Sequence, residues 1–242
     1  MLYDYLKRGT KAGAVGGIAY GLFVAFVGNG LVSFAETFEH GHAHAAAVSP
    51  AATRLVSVAA GVAFGVLLGA LAFGVAYYVL EPAVPGDTDT QSYVLAAAGF
   101  LTVSGAPWVL FPPQPPGVTQ SLSTDARLLW YGAMMVVGAL ASVGAGYAYR
   151  RASRALPTLA AAVVALAPLA LVPAVALVAP ANTVTSPVPA AFTNAFRAVT
   201  AVGQVGLWVV TASAHVWFAR RADDAAPADT ERARDARPLG AR

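Results

Sequence analysis

Six stretches of the chain, residues 12–35, 55–80, 93–111, 128–149, 155–181 and 198–219, run without a single Asp, Glu, Lys or Arg. A helix needs about 20 consecutive apolar residues to cross a hydrocarbon core, and each stretch meets or approaches that length. The pattern predicts an all-α polytopic membrane protein, a bundle of six transmembrane helices forming one domain over residues 1–219. The segment 220–242 that follows is rich in Ala, Asp, Arg and Pro. It has too few apolar groups to fold alone and is expected to be a disordered cytoplasmic tail.

Charge gives the bundle an orientation. With the N-terminus inside, the inner segments hold Lys7, Arg8, Lys11, Arg150, Arg151, Arg154, Arg220, Arg221, Arg232, Arg234, Arg237 and Arg242, and only Arg54, Arg127 and Arg197 fall outside. Basic residues accumulate on the cytoplasmic side of membrane proteins, so both termini are expected there, in a multi-pass protein of the plasma membrane. The inner loop 81–92 carries Glu81, Asp87 and Asp89 without a basic residue, and acidic groups contribute little to this rule. The first apolar run is longer than a signal-peptide core, so it is expected to stay as an anchor.

Composition narrows the chemistry. Charged residues make up 11% of the chain, against about 25% in soluble domains. Cysteine is absent, which excludes disulfides, thiolate metal sites and thiol catalysis. The basic residues flank apolar runs, which argues against a nucleic-acid surface. A phosphate-binding loop of the GK[ST] type needs a lysine followed by Ser or Thr, but Lys7 and Lys11 precede Arg8 and Ala12, so nucleotide binding by that route is excluded. HExxH and GxSxG motifs are also missing and the apolar runs hold no carboxylate, so no enzyme is expected.

Small residues suggest how the helices pair. Gly13, Gly17 and Gly21 recur every four residues, as do Gly61, Gly65 and Gly69. Such stripes let helix backbones approach closely in lipid, so the first two helices are expected to be neighbours. Pro157, Pro168, Pro173 and Pro180 fall in the fifth run, where proline removes hydrogen bonds and kinks a helix.

The polar residues with metal chemistry are few. The stretch "FAETFEHGHAHAAAV" from residue 34 to 48 brings Glu36, Glu39, His40, His42 and His44 together at the outer end of the first run. As helix, Glu36, His40 and His44 share a face; as extended chain, the three histidines do. Imidazole and carboxylate suit Co, Ni, Zn and Cu alike, and a solvated loop would carry the same residues. His215, near Thr211, Ser213 and Trp217 at the inner end of the sixth run, is a further candidate metal or transport residue, because ionisable groups within spans mark functional sites. Asn29 is a candidate for hydrogen bonding between helices.

The third run ends in "APWVLFPPQPPGV", where Pro112, Pro113, Pro115 and Pro116 exclude helix and favour a stiff, extended outer segment. This motif, followed by Arg127, resembles the CbtA family of probable cobalt transporter subunits. So do Gly13, Gly16 and Gly17 in the first helix, the acidic and His segment after it, and Arg54 leading into Gly61 and Gly65. The family is usually described with about five spans where six are counted here, and often has Asn where Gln114 stands. The resemblance implies a cobalt uptake system that supplies cobalamin synthesis, working with a small single-span, His-rich companion called CbtB. Co2+ or a similar divalent cation would be cargo, with no permanently bound cofactor. The expected function is the membrane subunit of a divalent transition-metal uptake system, with cobalt as the implied ion captured by the outer His/Glu cluster. The alternative is a non-conducting capture or scaffold subunit that hands the ion to a separate channel.

Overall fold

The computed structural model describes residues 1–39 and 49–235. It contains six helices long and apolar enough to cross a membrane: α1 (Leu2–Phe38), α2 (Pro50–Leu80), α3 (Thr88–Leu110), α4 (Thr124–Ala152), α5 (Thr158–Ala176) and α6 (Ala190–Ala222). Each coincides with one charge-free run, but the ends differ. At 37 residues, α1 is about 55 Å long and overshoots a core of about 30 Å, because Lys7, Arg8 and Lys11 are good helix formers that can reach the interface with their long stems. The backbone of α6 continues as helix to Asp235.

Local chemistry sets several starts. Ser49 caps α2, accepting from Ala52 N at 3.2 Å with Pro50 in the first turn. Asp87 caps α3, accepting from Thr90 N at 2.9 Å, and the hydrogen bonds from Thr90 hold its carboxyl below the usual carboxylate range. Ser123 caps α4 in the same way.

The fifth span is shorter than the run 155–181 suggested. Pro157 precedes its first turn, Pro168 lies in a tight 3-10 stretch at Ala167–Ala170, and the chain leaves the helix after Ala176, so Pro180 lies beyond it. Proline's fixed φ suits the position before a helix and interrupts the ladder inside one. Wider, π-type turns occur at Val24–Gly28 in α1, Gly69–Ala76 in α2 and Leu101–Gly105 in α3.

Helix α1 is central, packed between α2 and α6; α6 packs on α3, and α4 joins α3 to α5. The α1–α2 seam is made of backbone. A Cβ added at Gly61 would lie 2.5 Å from Gly21 Cα, and one at Gly69 would lie 2.6 Å from Gly13 Cα, so the two glycine stripes face each other as expected. Gly9 extends the α1 stripe one turn further, against Phe73 and Gly74. One apolar cluster joins Phe73 and Tyr77 of α2, Leu95 and Ala96 of α3, and Trp208 and Ala212 of α6. A second joins Ala106, Met134, Ala141 and Val172 from α3, α4 and α5.

Cross-links mark the two ends of the bundle. At one, Tyr5 bonds to Glu81 and Arg220 pairs with Asp89, which gathers the start of α1, the end of α2, the start of α3 and the end of α6. At the other, the rings of Phe34 and Phe192 meet at 4.9 Å, and β1 (Thr119–Gln120) pairs antiparallel with β2 (Val184–Thr185), Thr119 opposite Thr185.

Candidate functional site

At the Phe34 end, Glu36 is exposed on the last turn of α1, and the helical backbone runs on to Glu39. His40, His42 and His44 lie outside the described residues. Among the described residues, no group of three or more His, Asp or Glu side chains is placed to hold a metal ion. Near this end Asn29 joins α1 to α2, its Nδ2 donating to Ser57 Oγ at 3.0 Å, which is the interhelical use expected of it. The Arg54 guanidinium stacks over the Phe26 ring at 5.5 Å.

The proline segment is held from α6. Arg197 Nε donates to Pro113 O at 3.3 Å and its Nη2 donates to Gln114 Oε1 at 3.1 Å. Gly117, at φ +78°, then turns the chain into β1. Asn182 braces the strand pair, donating to Gln120 Oε1 at 2.8 Å and accepting from Leu122 N at 3.3 Å. Proline contributes only a carbonyl, and here one such carbonyl is a docking point for Arg197.

At the opposite end, His215 is fully buried in α6. Arg8 Nε donates to its Nε2 at 3.0 Å, and its Nδ1 lies 2.9 Å from Ser92 Oγ. Ser92 also bonds to Thr88 O at 2.8 Å. The donor on Arg8 can only donate, so Nε2 carries no proton and the ring hydrogen sits on Nδ1, donating to Ser92, whose own hydrogen goes to Thr88 O. The imidazole is neutral in this arrangement, because a protonated ring would offer Arg8 no acceptor. The Phe73 and Tyr77 rings enclose it at 5.3 and 4.8 Å.

The network spreads from there. Arg8 lies over the rings of Tyr5 and Tyr77, 5.0 and 5.8 Å from their centroids. The Tyr77 hydroxyl and Gln91 Oε1 are 3.0 Å apart, and Gln91 Nε2 donates to Val84 O at 2.9 Å. Both ring nitrogens of His215 are thus engaged, so ligating a metal would require Arg8 to leave Nε2 or Ser92 to leave Nδ1. Of these partners the sequence singled out only His215. Arg8 stood out merely as an orientation charge, and nothing in a single sequence pairs it with a residue 207 positions away.

Six apolar helices with closely packed glycine backbones and a polar cluster at one end define a multi-pass α-helical membrane protein. The chain belongs to the CbtA family, whose model, described as probable cobalt transporter subunit, matches residues 2–220. No curated protein and no solved structure gives a match.

Proposed function

We propose that this chain is the membrane subunit of a cobalt uptake system in the plasma membrane, with both termini in the cytoplasm. The family match over residues 2–220 carries this reading. The basic bias toward the end holding Lys7, Arg151 and Arg220 supports the orientation, which a reporter fused to the C-terminus reads directly. In this scheme Glu36, Glu39, His40, His42 and His44 capture the ion at the outer face, and the bundle carries it inward. A small single-span, His-rich companion, implied by the family resemblance, would complete the system. His215 would act within the inner polar network.

A second reading has one observation in its favour. Among the described residues the bundle holds no cluster of three metal-ligating side chains, as expected of a capture or scaffold subunit that passes the ion to a separate channel.

The outer segment gives a direct test. Loose imidazole and carboxylate sites bind several divalent ions and lose affinity as the rings charge near the ordinary histidine pKa of about 6.5. Cells expressing the wild-type chain should accumulate cobalt above cells lacking it. Replacing His40, His42 and His44 together with alanine should raise the half-saturating cobalt concentration by about tenfold or more. The fall in wild-type uptake from about pH 7.5 to 5.5 should flatten in the variant, while uptake at saturating cobalt persists. Normal uptake by the variant at limiting cobalt and every pH would reduce the segment to a solvated loop. No accumulation with the wild-type chain and its companion present would defeat the uptake reading itself.

A further inference from the structure

A cleft of about 320 Å³ opens between the start of α1 and the end of α6, lined by Tyr5, Lys7, Arg8 and Lys11 on one side and Phe218 on the other. Three cations therefore share one cavity. Among the described residues lining it, the acidic one is Asp4, and its carboxylate is paired with the Met1 ammonium at 2.9 Å.

Arg8 is the fixed member. Its Nε is bound to His215 and its Cζ lies over two tyrosine rings, while its two terminal nitrogens make no hydrogen bond to another described residue. Lys7 and Lys11 are exposed and one turn apart, so they project from the same side of α1. The Lys11 ammonium lies 5.7 Å from the centre of the Phe218 ring, leaning across to α6. A positioned guanidinium with two free donors, flanked by two ammonium groups, matches the oxygens of a phosphate group.

Depth points to the source of that phosphate. Lys11 immediately precedes the charge-free run that begins at Ala12, which puts the cleft at the boundary between hydrocarbon and water. Tyr5, Tyr78 and Trp217 gather at the same end, and Arg221 stacks on Trp217 at 4.0 Å, as aromatic groups do at headgroup level. We propose that this cleft binds the phosphate of an anionic phospholipid headgroup, clamping α1 to α6 from the cytoplasmic leaflet.

The test uses the purified full-length chain in a neutral detergent, with the rise in apparent Tm followed during titration. The probes are phosphatidylglycerol, phosphatidylcholine of the same chain length, and inorganic phosphate. Arg8 is left intact because it also holds the buried network. Phosphatidylglycerol should half-saturate at a concentration about tenfold or more below phosphatidylcholine. Lys7→Gln with Lys11→Gln should abolish that preference. Arg151→Gln with Arg154→Gln removes the same charge from exposed positions at the same end but outside the cleft, and should retain it. A response to inorganic phosphate that equals the phosphatidylglycerol response and vanishes in the lysine pair would support the phosphate site and assign it to a soluble anion. Equal responses to the two lipids, or equal loss in both double variants, would overturn the proposal.

Discussion

Gly65→Val is expected to remove the folded protein almost entirely, whereas Gly146→Ala should leave it unchanged or slightly more stable. The contrast follows from what each new side chain would meet. At Gly65 a Cβ would collide with the Gly13 carbonyl oxygen and the Gly17 backbone, and at Gly146 it meets nothing within 4 Å. Overpacking usually costs about 1–3 kcal/mol when side chains can give way. Here the neighbours are backbone atoms of another helix, so α1 and α2 must separate along the whole stripe, and the cost exceeds that range. Alanine at an open helical position instead recovers up to about 1 kcal/mol of helix propensity. Detergent extraction followed by size-exclusion profiles and thermal unfolding compares the two, with Gly17→Val as a second test of the seam. A monodisperse Gly65→Val protein with wild-type Tm would mean that α1 and α2 do not pack through their glycines.

The second large effect is expected at His215. Leucine there removes the acceptor for Arg8 Nε and the partner of Ser92 at a fully buried position. An orphaned buried polar group costs about 1–3 kcal/mol, while Arg8 is only half-buried and lines the open cleft. His215→Leu should therefore lose about 1–3 kcal/mol, and His215→Gln clearly less, because a glutamine carbonyl can still accept from Arg8. Unfolding of both variants in detergent measures the difference. Equal stability of the leucine and glutamine forms would show that the Arg8–His215 bond contributes nothing to the bundle.

Some of this architecture was legible in the sequence, for identifiable reasons. Lipid excludes charge and unsatisfied backbone, so the six charge-free runs could hardly be anything but helices. The glycine stripes announced the α1–α2 seam because close backbone approach leaves few other choices of residue. Helix ends were less legible. Lys7 and Arg8 read as a flank yet belong to α1, and Pro157 and Pro180 read as parts of a helix that begins after the first and ends before the second. The stiffness of the proline segment was visible, but its anchor at Arg197 was not, since the two lie more than 80 residues apart. The inner network escaped for the same reason, being assembled from Arg8, Ser92 and His215 on three different helices. The acidic and His segment is legible as composition alone.

Transport into sealed vesicles tests the central claim most directly. The purified chain, reconstituted alone and with the proposed single-span companion in liposomes holding an inside-negative potential, is supplied externally with labelled Co2+, and with Ni2+, Zn2+ and Mg2+ in parallel. Nucleotide is left out of the assay, because the chain itself carries no GK[ST] loop. A transporter subunit predicts saturable accumulation of cobalt in the lumen, above protein-free vesicles and collapsing with the potential. Cobalt that stays bound at the outer surface, with no luminal accumulation in either preparation, would contradict it and leave a capture subunit in its place.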